Sequence, residues 1–345
     1  MFLYQLPKLK PGIFAVISAN SVLVDSYLET YPLTIVIVGP TASGKSSLAQ
    51  DVARELDGEI ISADSMQIYK GMDIGTAKTV VSDQQVPHHL LDILNPGEAY
   101  SAQQFQDQAR SCIHTIATRN HVPILCGGTG FYIQAALENM QFPKGEQVNN
   151  PIREHWTNFL QSHTPQQLWD ELQMRDAASA AVIHPNNTKR VIRALEMNAE
   201  GVSYAQQSAN IRSLDTIVPS LKFGILHDRE VLYQRINKRV DQMIEAGLVT
   251  EVTSLLRGGF RNALTAQQAI GYKEIVRYLD GNTTKQDAID DIKQATRRYA
   301  KRQLSWFRRD NSIVWFDAAC QDQKDMVATI VDAYKTAQQA SLALP

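Results

Sequence analysis

A chain of 345 residues is longer than one average domain, so a main domain with an inserted or appended one is expected. With 44% hydrophobic and 20% charged residues it has the make-up of an ordinary soluble globular protein, and no run of about 18 apolar residues offers a membrane span. The formal net charge of −2 argues neither for nor against a nucleic-acid partner, and the three scattered cysteines (Cys112, Cys126, Cys320) support neither a disulfide framework nor a zinc site, which fits a reducing cytosol.

In residues 1–30, Lys8 and Lys10 precede an apolar stretch from Gly12 to Val24 that resembles the front of a signal peptide. Ser18, Asn20 and Ser21 interrupt it and no A-x-A site follows, so it reads as an N-terminal extension outside the fold, an over-extended start. The β-branched run Leu33 to Val38 predicts a buried strand, and it leads into Gly39, Pro40, Thr41, Ala42, Ser43, Gly44, Lys45 and Ser46. This is the G-x-x-x-x-G-K-[ST] phosphate loop. Its glycines let backbone N–H groups approach an anion, the helix expected over 47–56 aims its positive end there, Lys45 adds a cation, and the Ser46 hydroxyl suits Mg2+. The motif specifies a di- or triphosphate and leaves open whether phosphate is transferred, cleaved or released.

A second strand over 59–63 delivers Asp64 and Ser65 at its carboxyl end, where open α/β sheets bind ligands. Residues 64–78 (DSMQIYKGMDIGTAK) read as a loop at that face. His88 and His89 are adjacent and point apart with no further ligand at metal spacing, so structural roles are expected of them. A helix over 101–119, capped by Ser101, precedes a third strand over 122–126, which opens into Gly127, Gly128, Thr129 and Gly130. That strand lacks the aspartate with which an ATP-hydrolysing motor holds magnesium.

From 143 to 213 short helical segments alternate with polar turns, the pattern of an inserted all-helical subdomain; 31–142 and 214–345 form the main α/β domain. Within the insertion, Lys189, Arg190 and Arg193 fall on the first turns of a helix, Lys189 and Arg193 on one face. A solvated surface accounts for such charges as well as a ligand does. A strand over 221–227 and a long helix capped by Asp228 follow. Arg235 and Arg239, four apart, could grip one anion together or simply face solvent. Gly271 within QAIGYKE predicts a break or a close backbone approach, since glycine in a helix costs about 1 kcal/mol relative to alanine. Between 285 and 309, eight Lys/Arg face three acids with Tyr299, Trp306 and Phe307 interleaved, which suits a phosphate backbone; an amphipathic helix with core aromatics is the alternative.

Eight ordered blocks, GPTASGKS, ADSMQIYKGMDIGTAK, VPHHLLDI, YSAQQF, GGTGFYIQA, IHPNNTKRVIRALE, AIGYKE and YAKRQLSWFR, resemble the tRNA dimethylallyltransferase (isopentenyltransferase) family over nearly all of 33–317. The resemblance implies a P-loop NTPase-like parallel sheet with flanking helices, and transfer of dimethylallyl from dimethylallyl diphosphate to N6 of the adenosine 3′ to the tRNA anticodon, with Mg2+. It implies Asp64 as base, Thr129 as an active-site hydroxyl, and Arg239 with residues 39–46 around the diphosphate. Contacts to the tRNA anticodon stem-loop are implied for Asp64, Ser65, Met66, Gln67, Thr129 and Arg153. They are also implied for Lys189, Arg190, Val191, Ile192 and Arg193, and for Gln268, Ala269, Ile270, Gly271, Tyr272 and Lys273. Ser46 departs from the family's frequent threonine, the extension has no counterpart, and no C-terminal Cys/His finger is visible, so the chain resembles the bacterial form. A cytoplasmic monomer is expected. The missing aspartate, the insertion and the basic helix weigh against an ATP-dependent kinase; Asp64 and Thr129 weigh against a nucleotide-gated RNA-binding switch.

Overall fold

The structure, a computed structural model, describes residues 31–142, 150–210, 215–263 and 265–342. The extension expected over 1–30 lies outside the described residues, as do 143–149 and 211–214 at the expected edges of the insertion. The chain divides into two compact units, Met1–Leu137 with Ile217–Pro345, and Glu138–Thr216. The second is a few residues wider than 143–213, because an antiparallel bridge between Glu138 and Thr216 closes its root.

The first unit is built on a parallel sheet. In chain order its elements begin β1 (Thr34–Val38), α1 (Lys45–Glu55), β2 (Gly58–Ser62), β3 (His88–His89), α2 (Ala102–Thr118), β4 (Val122–Gly127) and α3 (Gly130–Leu137). The helices of the second unit come next: α4 (Pro151–Ser162), α5 (Pro165–Arg175), α6 (Ala177–Val182), α7 (Thr188–Ala199) and α8 (Tyr204–Asn210). The first unit resumes with β5 (Ser220–Leu226), α9 (Arg229–Glu245), α10 (Leu248–Arg257), α11 (Tyr272–Leu279), α12 (Lys285–Phe307), β6 (Ile313–Asp317) and α13 (Gln323–Leu342).

The strand order is β3-β2-β4-β1-β5-β6, every pairing parallel. A parallel sheet is covered on both faces, which is why β1 reads as an unbroken apolar run and is buried at every position. Ile35 and Ile37 pack with Leu48, Val52 and Ile330, whereas Val36 and Val38 pack with Phe105, Ala109 and Ile113. A third cluster joins Ile68, Tyr69 and Met72 of the loop after β2 to Val252, Tyr272 and Ile292. The chain turns one way from β1 to β2 and the other way to β5, so the carboxyl ends of β1, β2 and β4 border a crevice suited to a ligand.

The helical unit has its own core of Trp156, Leu168, Leu172, Val191 and Leu195. Its helices start where the local chemistry dictates: Asn150 and Thr164 cap α4 and α5, each followed by proline in the first turn.

Candidate functional site

The phosphate loop joins β1 to α1. Gly44 sits at φ 96°, a left-handed conformation natural to glycine, and α1 begins with no side-chain cap and no acidic residue in its first turn. Its leading N–H groups are therefore available to an external anion. The loop is braced from outside: His227 Nε2 pairs with Ser43 O (2.8 Å), and Arg235 Nε donates to Ala42 O (2.8 Å). Lys45 is half-buried, with Nζ donating to Pro40 O at 3.3 Å, and burial lowers its pKa below the usual lysine value, helped by nearby Arg239 and opposed by Cys126 and Asp64. The neighbouring Cys126 thiol is pushed up to about 11 by burial and stays protonated.

The loop predicted over 64–78 is held rigidly by two anchors of opposite charge. The buried Lys78 ammonium donates to Tyr69 O (2.8 Å), Asp73 Oδ1 (2.6 Å) and Asp92 Oδ1 (2.5 Å). The Glu251 carboxylate accepts from the amides of Asp73 (3.0 Å), Ile74 (2.7 Å) and Gly75 (3.2 Å) and from the Tyr272 hydroxyl (2.6 Å). Charge-assisted bonds of this kind are the strong ones. The loop thus presents Asp64, whose Oδ1 accepts from Met66 N–H at 2.9 Å, and the Thr76 carbonyl, which takes Gln67 Nε2 (3.2 Å) and Arg239 Nη2 (3.3 Å). Thr129 Oγ1 accepts from Ser65 N–H at 3.1 Å, and its own N–H donates to Ala63 O at 3.1 Å, locking the turn after β4 to that after β2.

One cavity of about 460 Å³ is lined by Thr41, Lys45, Ser46, Asp64–Gln67, Arg239, Gln268–Ile270 and Lys273, among others; Thr129 stands behind Ser65, outside that lining. Arg239 Nε is buried and without a hydrogen-bond partner, as expected of a cation awaiting an anion. The two helix arginines divide: Arg239 lines the cavity, and Arg235 holds the loop backbone. Tyr272, expected beside RNA, is instead wholly buried, its ring packed so close to Gly75 that a β-carbon there would lie 2.4 Å from it. Gly271 takes φ 95° at the start of α11, so its break is a helix entry. His88 and His89 have structural partners: Nδ1 of His88 meets Val86 O (2.8 Å), and Nε2 of His89 meets Glu59 (2.6 Å).

In the helical unit the residues expected on RNA separate by burial. Val191 and Ile192 are core side chains, which corrects their expected contact with RNA: they are apolar and fill the interior. Arg153 and Arg193 both pair with Glu196, whose carboxylate is fully buried, so they neutralise an internal charge. Lys189 and Arg190 are exposed.

Residue patterns alone missed Gln303 of α12, which stands in the cavity wall with Arg298, Tyr299 and Arg302 of the basic, aromatic stretch. The motif block YAKRQLSWFR contains this glutamine as a neutral side chain among cations and aromatics. The interleaved aromatics divide: Phe307 is core, Trp306 is partly exposed, and Tyr299 reaches Thr129 and Gln303, with burial and the Asp64 charge raising its pKa.

Fold and cavity together define a protein of phosphate-loop form whose cavity sets the cations Lys45 and Arg239 beside the Asp64 carboxylate. Residues 67–310 match the family model described as IPP transferase, and 33–89 one described as isopentenyl transferase. The chain is 45% identical over 286 residues to a tRNA dimethylallyltransferase of Thermoanaerobacter sp. (strain X514), covering 82% of this chain and 90% of that one. With the tRNA dimethylallyltransferase of Bacillus subtilis (strain 168) it shares 44% identity over 285 residues, again 82% and 90% of the two chains. The crystal structure of a tRNA isopentenylpyrophosphate transferase from Staphylococcus epidermidis superposes with TM-score 0.65 at 41% identity, covering 88% of this chain and 99% of that one. A eukaryotic dimethylallyltransferase acting on tRNA gives TM-score 0.69 at 30% identity, covering 83% and 73%. This chain belongs to the IPP transferase family, and its sheet has the P-loop NTPase-like form of those neighbours.

Proposed function

We propose that the protein transfers the dimethylallyl group of dimethylallyl diphosphate to N6 of the adenosine 3′-adjacent to the anticodon (position 37) of tRNA, giving N6-dimethylallyladenosine and diphosphate. The observation that carries this reading is the convergence of the phosphate-loop residues Thr41, Lys45 and Ser46 with Arg239 and Asp64 on one cavity, with the Thr129 hydroxyl bonded to the N–H of the lining residue Ser65. Family membership weighs against the kinase alternative.

An exocyclic adenine amine is a weak nucleophile, so the site must remove its proton and stabilise the leaving group. The N6 lone pair forms the new bond to C1 of the dimethylallyl group while the C1–O bond breaks and its electron pair leaves with the diphosphate. Asp64 takes the N6 proton. The Thr129 hydroxyl, fixed by Ser65 N–H, orients the amine beside the donor. Lys45, Arg239 and the N–H groups of the loop receive the diphosphate charge, and the orphaned Arg239 Nε gains its partner. To reach this cavity the adenine leaves its stack.

Mg2+ keeps most of its waters and binds through one or two protein groups plus substrate phosphates, so the exposed Ser46 hydroxyl at the cavity is a fitting ligand. When bound, it neutralises diphosphate charge. Among the described residues no cluster of three or more His, Cys, Asp or Glu forms a separate metal site, and no helix is long and apolar enough to cross a membrane. Lys189 and Arg190 on the helical unit, and Gln268, Lys273, Arg298 and Arg302 on the first unit, supply contacts to the anticodon stem-loop. The donor-binding groups and Asp64 all belong to one chain, which supports action as a monomer; a cytoplasmic location is part of the same reading.

The test is to incubate the protein and tRNA with dimethylallyl diphosphate labelled in the prenyl group, and separately with γ-labelled ATP. Label should reach the RNA from the prenyl donor alone; phosphate transfer without prenyl transfer overturns the assignment.

A further inference from the structure

Gln303 takes part in none of the bond changes above, yet it joins the two turns that carry them. It is 5% exposed and uses both ends of its amide. Oε1 accepts from Thr41 N–H in the phosphate loop (2.9 Å), and Nε2 donates to Gly128 O, next to Thr129 (2.9 Å). The approach is close: a β-carbon on Gly128 would lie 2.1 Å from Nε2, so glycine there makes room for the amide. Four residues earlier on the same face of α12, the Tyr299 hydroxyl contacts both Gln303 and Thr129. His227 and Arg235 hold the other side of the phosphate loop, through Ser43 O and Ala42 O.

We propose that Gln303 is a positioning residue that fixes the spacing between the anion cradle and the Thr129 turn, and with it the line along which the donor carbon meets the acceptor amine. The inference rests on the prenyl-transfer reading. Glutamine is suited because the strut needs an acceptor at one end and a donor at the other. Glutamate would set an oxygen against Gly128 O and add negative charge beside a bound diphosphate; leucine fills similar space and makes neither bond. A misplacement of about 1 Å between reacting groups is enough to cost roughly 10²-fold in rate.

The experiment uses the full chain with saturating tRNA and dimethylallyl diphosphate, and reads single-turnover rate constants, amplitudes and Tm for Gln303→Leu and Gln303→Glu. Both variants should lower the rate constant by about 10- to 100-fold. Leucine should also weaken diphosphate binding, measured by calorimetry, by roughly fivefold. A role confined to folding would reduce amplitude and Tm and leave the rate constant of the active fraction alone. A double-mutant cycle adds a second readout. Gly128→Ala should slow the wild-type background strongly and the Gln303→Ala background little, because truncation vacates the space the new methyl needs. Unchanged rate constants, or additive effects of Gly128→Ala and Gln303→Ala, overturn the inference. If the wild-type protein transfers no prenyl group, the functional reading fails instead, and the diphosphate Kd still decides the strut: loss of affinity in Gln303→Leu supports it, and equal affinity overturns it.

Discussion

Asp64 and Lys45 illustrate how single groups divide the chemistry. Asp64→Asn keeps size and hydrogen bonding but cannot take the amine proton, so kcat should fall by about 10²- to 10⁴-fold with donor Kd little changed. Measuring both across a magnesium titration separates this from a metal-holding role, for which excess metal would restore turnover. For Lys45 the sign follows from burial, which disfavours the charged ammonium and places its pKa below the usual lysine value. The protonated form binds the anion, so donor affinity is full below that lowered pKa and is lost as pH rises through it, earlier than for an ordinary lysine. Isothermal titration from neutral to alkaline pH should show the loss, and Lys45→Arg should move it beyond the accessible range; an arginine variant with the same profile would exclude Lys45 as its source.

Elements gain their roles from how they are anchored. The loop between β2 and β3 depends on Glu251, and Glu251→Gln turns one acceptor oxygen into an amide facing backbone N–H groups. The expected cost is about 2 kcal/mol, seen as a lower Tm and faster hydrogen exchange at the amides of 73–75. On α7, two substitutions should behave oppositely. Glu196→Gln removes the buried negative charge that Arg153 and Arg193 share and should destabilise the helical unit by about 3 kcal/mol in denaturant melts. Lys189→Ala with Arg190→Ala should leave stability unchanged and lower the slope of log K for tRNA against log salt by about 1.4 to 1.8 in magnitude. Legibility in the sequence follows the same division. Strands β1, β2, β4 and β5, the phosphate loop and the strand-end positions of Asp64 and Thr129 were readable because each rests on local pattern, an apolar run, glycine spacing or a strand end, whereas the edge strands β3 and β6 were not expected. The partners of Arg153, the burial of Tyr272 and the strut at Gln303 were not, because they depend on residues far away in the chain. Gln303 meets Thr41 across 262 positions, and Arg153 meets Glu196 across 43.

At the scale of the whole chain, β1 needs β5 as its neighbour, with Thr34 paired to Ser220 across the intervening helical unit. Long-range parallel pairing of this kind slows folding, since closure entropy is lost before the contacts form. The root of the insertion limits that cost. In the first unit the N–H groups of Ile217 and Val218 both donate to Leu137 O, at 2.9 and 3.1 Å, so the chain leaves and returns at one point. Replacing 138–216 by a short Gly/Ser linker should therefore preserve cooperative melting of the sheet and diphosphate affinity to within about threefold, while tRNA affinity drops steeply; calorimetry and filter binding report the two, and loss of the sheet transition would refute it.

That root makes the segment an exchangeable cassette. Each doubling of a closed loop costs only about 0.6 kcal/mol, so descent could lengthen, trim or replace the part between Leu137 and Ile217 almost without penalty to the sheet. Substrate choice can then drift while the reaction centre stays fixed, and a graft of a different RNA-gripping module at this junction is a practical route to retargeting the chemistry.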